Sequence, residues 1–439
     1  MRKFGGLSAV LCANTDNQRR FALVDCNNFY VSCERVFRPD WEGCPVAVLS
    51  NNDGCVIARS QEVKDMGVAM GAPYHTVRGQ LAQAGAIVVS SNYTLYGDMS
   101  ARVMRVLADY APTIEVYSID ECWLDWSGLS TAEINTRASA MVRAVRRMTG
   151  IPVSVGIGPS KTLAKQMNRW VKKQPLDKTN GFMDWATVED PESLLSACAV
   201  GDLWGIGRRL QATLERMGIR SALDLRNAQP ARIRQRFGVV VERIIYELSG
   251  FSCLDLEAVE AKKGIVASRS FGQPVETLNE LSEAIASHTT RAMEKLRAQG
   301  SLAAYLAVFI NTNRFAENQA QYSGRFGMRL PVATDDSMRM LRVARHCLEC
   351  CYRPHFRYNK AGVMLADISS SRCEQTDWLT KGDGERQRVL MQTLDGLNKS
   401  YGSGSVFSAA QGIDRRWQMR RNFRTQAYTT RWSELPLVR

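Results

Sequence analysis

Short apolar runs that alternate with turn residues and amphipathic stretches predict a mixed sheet and helix domain at the start of the chain. Patterns typical of buried strands occupy residues 21–24, 45–49, 113–126 and 152–157, the third of these as strand, turn and strand. Helical periodicity occupies residues 100–110 and 132–148, and another helix opens after Pro159. Residues 21–190 are therefore predicted to form an α+β domain.

The pattern changes after residue 190. Residues 191–256 are helical with short glycine-containing loops, which predicts a compact helical unit. A basic connector at residues 262–264 leads to a third unit, with predicted strands at 302–310 and 361–368. Residues 371–439 are polar with an arginine-rich end, which is typical of a partly ordered tail, and residues 1–20 are predicted to be a loose extension.

Composition narrows the class of protein. The 439 residues are 45% hydrophobic and 23% charged, as in folded multidomain proteins, and no apolar run is long enough to span a membrane. A net charge of +13 favours a polyanionic partner such as nucleic acid. The 12 cysteines lack a regular disulfide spacing, which indicates a reducing, cytoplasmic location.

One cysteine cluster superficially resembles a zinc site. Cys347, Cys350 and Cys351 lie between His346 and His355. The periodicity of the surrounding apolar residues favours a simpler interpretation, in which these cysteines form the buried face of a helix.

Three carboxylates lie at predicted strand ends. Asp25 ends the first strand, and Asp120 and Glu121 lie between two further strands. Consecutive strand residues face opposite ways, so Asp120 and Glu121 need a bend to reach one site. Such hard oxygen ligands suit a pair of Mg²⁺ ions that catalyse phosphoryl transfer. The alternative is a turn cap at Asp25 and an exposed acidic hairpin.

Two adjacent aromatic residues, Phe29 and Tyr30, follow Asp25. Phe29 is predicted to be a core residue, whereas the ring of Tyr30 could pack under a nucleotide sugar and exclude a ribose 2′-hydroxyl.

The helix after Pro159 carries lysines at helical spacing. Ser160 is a candidate N-cap, and Lys161 and Lys165 are predicted to share an exposed basic face with Arg169 and Lys172. The helix N-terminus and these lysines favour binding of a triphosphate, although a merely solvated basic face is also compatible with the pattern.

A tight turn in the helical unit has the pattern of a helix-hairpin-helix. Gly205 and Gly207 allow backbone N–H groups to approach a phosphate, and Arg208 and Arg209 follow directly. We therefore expect contact with DNA there rather than an ordinary helical turn.

Taken together, six ordered motifs resemble the Y-family translesion DNA polymerases, and within that family the UmuC group. The resemblance runs from residue 21 to near the C-terminus. Its motifs occupy residues 25–30, 49–59, 90–96, 117–121, 204–208 and 268–272.

The resemblance implies a right-handed polymerase architecture. Residues 21–190 would form a palm with small fingers inserted at about residues 35–95. Residues 191–260 would form a helix-hairpin-helix thumb and residues 261–370 a little finger, followed by a partner-binding tail at 371–439.

The resemblance also implies roles for individual residues. Asp25, Asp120, Glu121 and the carbonyl of Cys26 match metal ligands, Tyr30 matches a steric gate and Lys165 a triphosphate contact, while Arg269 falls in a DNA-binding motif. Ser60, Gln61 and Lys64 occupy the stretch where the family places an aromatic residue and an arginine near the nucleotide.

The function implied is error-prone translesion synthesis in the SOS response of a bacterial cytoplasm. Substrates would be primer–template DNA and deoxynucleoside triphosphates. Partners would be a processed UmuD-like dimer, a RecA filament and the sliding clamp, the last through residues 375–379. Two alternatives are a non-catalytic DNA-binding regulatory subunit and a nucleotide cyclase with a similar palm.

Overall fold

The central unit of the protein is a five-stranded sheet in the order β5-β6-β1-β7-β8. We describe it from a computed structural model covering residues 19–174, 179–257, 260–371 and 384–436. Its strands are β1 (Phe21–Cys26), β5 (Ile114–Val116), β6 (Glu121–Asp125), β7 (Val153–Gly158) and β8 (Phe182–Asp184). β1 lies in the middle and is buried throughout, as its uninterrupted apolar run predicts.

Helices cover both faces of this sheet. They are α1 (Phe29–Phe37), α4 (Tyr93–Ala108), α5 (Thr131–Thr149) and α6 (Lys161–Val171). α5 begins at a capping box formed by Ser130 and Glu133 and ends at Gly150 in the left-handed conformation. A Cβ atom at Gly156 would collide with the backbone of α6 at Ala164 and Asn168, so only glycine permits this close packing.

A smaller three-stranded sheet is inserted after α1. Its strands, in the order β3-β2-β4, are β2 (Val46–Leu49), β3 (Val56–Arg59) and β4 (Ile87–Ser90). Two helices accompany them, α2 (Gln61–Asp65) and α3 (Tyr74–Gln83). β2 runs antiparallel to β3 and parallel to β4.

The predicted helical unit has its own apolar core. Its helices are α7 (Pro191–Ser196), α8 (Arg208–Arg216), α9 (Ala222–Arg226), α10 (Pro230–Phe237) and α11 (Val239–Leu248).

A four-stranded antiparallel sheet in the order β11-β10-β12-β9 follows. Its strands are β9 (Ile265–Val275), β10 (Ser301–Thr312), β11 (Ser323–Thr334) and β12 (Tyr358–Ser370), and its helices are α12 (Leu278–Ala298) and α13 (Ser337–Cys351). The predicted strands at 302–310 and 361–368 are the central parts of β10 and β12. Cys347 and Cys351 are buried in this core, as predicted, whereas Cys350 is exposed and does not belong to the buried face.

The C-terminal region is more ordered than its polar composition indicates. α14 (Glu385–Tyr401) contacts α12 through Arg297, which binds Asp395 at 2.6 and 2.8 Å. Trp417 then enters the core of the four-stranded unit, and Tyr428 enters the core of the five-stranded unit. The polar composition predicts a partly ordered tail, and the burial of Trp417 and Tyr428 gives residues 384–436 more order than that composition indicates.

The α+β multidomain class is confirmed. No helix in the described ranges is both long and apolar enough to cross a lipid bilayer.

Candidate active site

The site is assembled where β1 and β6 lie side by side. Their antiparallel register places Asp25 opposite Glu121. The backbone bends just before β6, as the sequence requires. The Ser118 hydroxyl accepts the N–H groups of Asp120 and Glu121 at 3.2 and 3.0 Å and donates to Asp120 Oδ1 at 2.6 Å.

Lys165 of α6 and Lys172, the C-cap residue of that helix, neutralise the facing carboxylates. Lys172 Nζ lies 2.5 Å from Asp25 Oδ2, and Lys165 Nζ lies 2.8 and 2.9 Å from the two oxygens of Glu121. Burial raises the pKa of Asp25 to about 7, with Lys172 opposing the shift and the adjoining Glu121 adding to it. The carboxyl groups of Asp25 and Glu121 are therefore close neighbours in a partly dehydrated site.

This donor set suits a hard divalent cation. Two adjoining carboxylates repel each other, and burial strengthens that repulsion, so a cation with oxygen ligands would stabilise both ionised forms. Asp120 is turned towards Ser118. Across the described ranges, no three His, Cys, Asp or Glu side chains converge closely enough to hold a metal. The structure thus brings the carboxyl groups of Asp25 and Glu121 together. The carboxyl group of Asp120 is instead hydrogen-bonded to Ser118.

The carboxylates line the smaller of two cavities that share Lys172. A cavity of about 250 Å³ is lined by Asp25, Glu121, Lys165, Lys172 and Trp204, among others. Lys172 also lines a larger groove of about 1010 Å³. That groove has room for a nucleotide-sized ligand.

The larger groove is bordered by the inserted unit. Lys64 and Gln61 line it together with Asn27 and Asn28, and Lys64 Nζ donates to Asn28 Oδ1 at 2.6 Å. Asn28 adopts the left-handed conformation at the turn between β1 and α1. Ser60 is different, because its buried hydroxyl accepts the N–H groups of Val46 and Val63 and caps α2.

Tyr30 belongs to an aromatic stack beside the site. Its ring stacks on Tyr96 at 4.3 Å between centroids and meets the edge of Tyr93 at 6.0 Å. Phe29 is buried in the core, as predicted. The stack fixes the orientation of the Tyr30 ring.

The prediction that Lys161 projects from the exposed face of α6 is wrong. Lys161 is only 3% exposed, and its ammonium group lies 2.6 Å from Glu115 Oε2 and over the ring of Trp123. As the first residue of the helix, Lys161 points back over the edge of the five-stranded sheet, where Glu115 provides the opposite charge.

The tight turn of the helical unit contributes one residue, Trp204, to the cavity that contains the carboxylates. Gly205 has a φ of 89°, and Gly207 precedes α8 as its N-cap. Trp204 lies 5.9 Å from the ring of Tyr117 and 5.8 Å from Lys165 Nζ. Arg208 and Arg209 begin α8 and are exposed.

Other candidates lie farther away. Arg269 is exposed on β9, in the four-stranded unit. Cys350 is exposed beside His346, with Sγ and Nε2 3.7 Å apart. The proposed clamp peptide at 375–379 and most of the N-terminal extension lie outside the described residues.

Sequence reasoning placed Lys172 on the basic face of α6 but did not assign it to the carboxylate site, and it missed Trp204 as a site residue. The signal for Lys172 is its position seven residues after Lys165, two helical turns along the same face. Trp204 lies next to a predicted phosphate-binding turn, and nothing local in the sequence indicates that it contacts the distant Tyr117.

Comparisons with known proteins agree with this architecture. Models of the impB/mucB/samB family and of its C-terminal domain match residues 24–169 and 262–378, and a domain of unknown function, DUF4113, matches residues 388–438. Protein UmuC of Salmonella typhimurium is 42% identical over 425 residues, covering 95% of this chain and all of UmuC. DNA polymerase IV of Moorella thermoacetica is 28% identical over 396 residues, covering 88% of this chain and 94% of that protein.

The fold has a match among solved structures. A chimeric Y-family DNA polymerase built from Dbh and Dpo4 superposes with a TM-score of 0.61 at 20% identity, covering 80% of this chain and 99% of the chimera. The chain therefore belongs to the impB/mucB/samB family, and its fold is that of the Y-family DNA polymerases.

Proposed function

We propose that this protein is an error-prone, template-directed DNA polymerase that performs translesion synthesis in the SOS response. The observation that carries the proposal is the pair of adjoining carboxylates, Asp25 and Glu121, which lie at strand ends in a cavity lined by Lys165 and Lys172. Similarity over nearly the whole chain to UmuC and DNA polymerase IV supports the same activity.

Kinship with these polymerases implies a requirement for divalent metal. We assign Asp25, Asp120, Glu121 and the carbonyl of Cys26 as ligands of two Mg²⁺ ions. When bound, such ions supply activation of the attacking primer hydroxyl and stabilisation of the leaving oxygen. Ser118 holds the backbone of Asp120 and Glu121 in place for this role.

The chain's own cations and aromatic residues would orient the nucleotide. Lys172 lines both cavities, so it can exchange its contact with Asp25 for a triphosphate oxygen. Lys165 and Lys64 add positive charge on either side of it. The stacked ring of Tyr30 is rigid enough to act as a steric gate against ribonucleotides.

Duplex DNA would lie on the units around this site. In this proposal the five-stranded unit is the palm, the three-stranded unit the fingers, the helical unit the thumb and the four-stranded unit the little finger. The turn at Gly205 and Gly207, with Arg208 and Arg209, would contact phosphates without reading sequence. Arg269 would do so from the little finger. A processed UmuD-like dimer, a RecA filament and the sliding clamp are the proposed partners.

Primer extension across an abasic site tests the proposal. The reaction contains Mg²⁺, deoxynucleotides and the proposed partners, and compares the wild type with an Asp120→Ala, Glu121→Ala double variant. We expect extension to fall at least about a thousandfold in the variant because charge stabilisation of the transition state is lost. DNA binding should persist because its contacts lie on other units.

A charge-matched control separates the loss of metal ligands from the general effect of removing two negative charges. Glu317→Ala, Glu349→Ala removes two acidic residues from the four-stranded unit and should leave extension unchanged. Extension that survives the loss of Asp120 and Glu121 would contradict the assignment. If the wild type and variant bound DNA but were equally inert, the protein would be a regulatory subunit instead.

A further inference from the structure

The arginine-rich end of the chain crosses the seam between the three-stranded and four-stranded units. We call residues 415–431 the strap. Trp417 anchors its start, packing on Phe271 and His288 at ring distances of 6.2 and 5.9 Å. Tyr428 anchors its end, stacking on Phe37 at 4.8 Å. Both rings are buried, so the strap is held at each end.

Backbone hydrogen bonds fix the middle of the strap on the seam. The N–H groups of Arg420 and Asn422 donate to Asn52 Oδ1 and Asp53 Oδ2 at 2.9 and 2.8 Å. Asn52 in turn donates to the carbonyl oxygens of Ser270 and Phe271 at 3.1 and 3.0 Å. Asn52 therefore bonds both Arg420, which precedes Arg421 on the strap, and Ser270, which follows Arg269 on β9.

A third arginine joins them from the other side. Phe423 pairs with Ser90 through its N–H and carbonyl groups, and Asn92 donates to Thr425 Oγ1 at 3.2 Å. Arg424 lies between these two anchors in the chain, and Tyr93 acts electrostatically on Arg421. The pKa of Arg421 is lowered by burial and then by the charges of Arg269 and Arg424, which agrees with their proximity.

The cluster of Arg269, Arg421 and Arg424 carries an excess of positive charge. None of the three forms an ion pair with an acidic side chain among the residues described by the structure. Two carboxylates act on the cluster, Asp53 on Arg421 and Glu434 on Arg424. Asp53 already accepts from Ser90 Oγ at 2.6 Å and from Asn422, and Glu434 already accepts from the N–H of Ala427 and from Arg431. Three exposed arginines held together without a direct ion pair form a site for an anion.

Exposed aromatic rings lie among these arginines and indicate the class of anion. Tyr93 is 41% exposed and Phe423 is 40% exposed. Arginines interleaved with exposed aromatic rings are typical of surfaces that bind single-stranded nucleic acid, with phosphates on the cations and bases on the rings. Tyr93 also contacts Tyr30, which places the cluster one ring away from the proposed nucleotide position.

We propose that Arg269, Arg421 and Arg424 bind phosphates of the single-stranded template ahead of the primer terminus, with Tyr93 and Phe423 as stacking surfaces. This inference rests on the proposed polymerase function for the identity of the strand. It gives the domain of unknown function at residues 388–438 a role as a template-binding strap that completes the surface between fingers and little finger.

Fluorescence anisotropy without nucleotide or metal tests the strap on the full-length protein. The two probes are a duplex with a 5′ single-stranded template extension and a blunt duplex of the same sequence. For Arg421→Gln, Arg424→Gln we expect affinity for the extended probe to fall at least about fivefold. The slope of log affinity against log salt should become shallower by about 1.4, since each single-strand phosphate contact contributes about 0.7. Binding to the blunt duplex should stay unchanged.

Two further variants make the result decisive. Arg342→Gln, Arg345→Gln removes the same charge from the exposed face of α13 and should leave the preference for the extended probe intact. Arg421→Lys, Arg424→Lys keeps the charge and should retain most of the binding, which excludes a folding defect. Equal losses on both probes, or no loss relative to the α13 control, would overturn the proposal.

The outcome is independent of catalysis. A protein that prefers the extended probe through these arginines but extends no primer would contradict only the polymerase function. A protein that extends primers with unchanged template binding in the Gln variant would contradict only the strap proposal.

Discussion

Glu34 is a carboxyl group buried between α1, α4 and the strap. Its Oε1 accepts from the Tyr96 hydroxyl at 2.7 Å and from Thr425 Oγ1 at 3.2 Å. Its Oε2 is buried and has no hydrogen-bond partner among the residues that the structure describes. Burial raises the pKa of Glu34 to about 7, and the two hydrogen bonds oppose that shift only in part. The protonated form therefore fits the folded protein better than the ionised form.

The raised pKa makes stability depend on pH. An ordinary glutamate has a pKa near 4.5 in the unfolded chain, so the folded state holds its proton more tightly. The stabilisation is complete below about pH 4.5 and is lost as the pH rises to about 7, at roughly 1.4 kcal/mol per pH unit. We expect Glu34→Gln to gain stability relative to wild type across this interval, measured by urea denaturation.

An exposed glutamate provides the control for this prediction. Glu317→Gln should show no such trend relative to wild type over the same pH range. The difference in free energy of unfolding between Glu34→Gln and wild type could instead be constant from pH 5 to pH 7.5. Glu34 would then be ionised in the folded protein, and its pKa would not be raised by burial.

At the scale of elements, α6 is attached to the sheet by a buried ion pair. Lys161 and Glu115 are both buried, and Glu115 also accepts the N–H group of Glu257 at 2.8 Å. This arrangement ties the helix that carries Lys165 and Lys172 to β5. The pair therefore positions the cationic face of α6 without lining either cavity.

Breaking this pair should destabilise the protein without altering nucleotide binding. Lys161→Met leaves the Glu115 charge buried alone, which typically costs about 3–5 kcal/mol. Adding Glu115→Gln should restore most of that stability, because glutamine still accepts from Glu257 and carries no charge. The KM for deoxynucleotide of the double variant should equal that of wild type.

Lys172→Met is the matched comparison, since it removes a lysine of the same helix that does line both cavities. Its KM for deoxynucleotide should rise. The free energy of unfolding should fall less than in Lys161→Met, because Asp25, whose pKa burial raises to about 7, can take up a proton when Lys172 is removed. A raised KM in the stabilised Lys161 double variant would show that Lys161 does contact the nucleotide.

Elements with a local pattern could be predicted from the sequence. The apolar run of β1, the strand-turn-strand pattern around β5 and β6, and the periodicity of α5 each matched the structure to within a few residues. α4 began earlier than predicted because Asn92 caps it by accepting the N–H of Leu95. The edge strands β9 and β11 alternate weakly and escaped notice, since their exposed faces carry apolar residues such as Val266 and Phe326.

Features that depend on distant partners could not be predicted in the same way. The periodicity of α6 assigns Lys161 to an exposed face, and only the presence of Glu115 across the sheet explains its burial. Trp417 and Tyr428 lie in a polar, arginine-rich sequence whose anchoring depends on two separate cores. Asp25 and Glu121 were identified from strand ends, but their pairing with Lys172 and Lys165 required the register of the sheet.

At the scale of the whole molecule, the strap joins two units that are far apart in the chain. It packs Trp417 into the four-stranded unit and Tyr428 into the five-stranded unit, and it bonds to the three-stranded unit between them. Asn52 is the residue that bonds both the strap and the backbone of β9. Units joined by small interfaces usually move relative to one another, so the strap should limit that motion.

Removing the strap should loosen the four-stranded unit. A chain ended after Gln411 keeps α14 and its ion pair with Arg297 but loses both aromatic anchors. We expect small-angle X-ray scattering to show a larger radius of gyration for this chain, because fewer contacts hold the four-stranded unit on the seam. A chain ended after Glu434 retains both anchors and should match the full-length protein. An unchanged radius in the shorter chain would mean that the contacts of Asn52 and the connector before β9 hold the units together, and the strap would then serve only the template site.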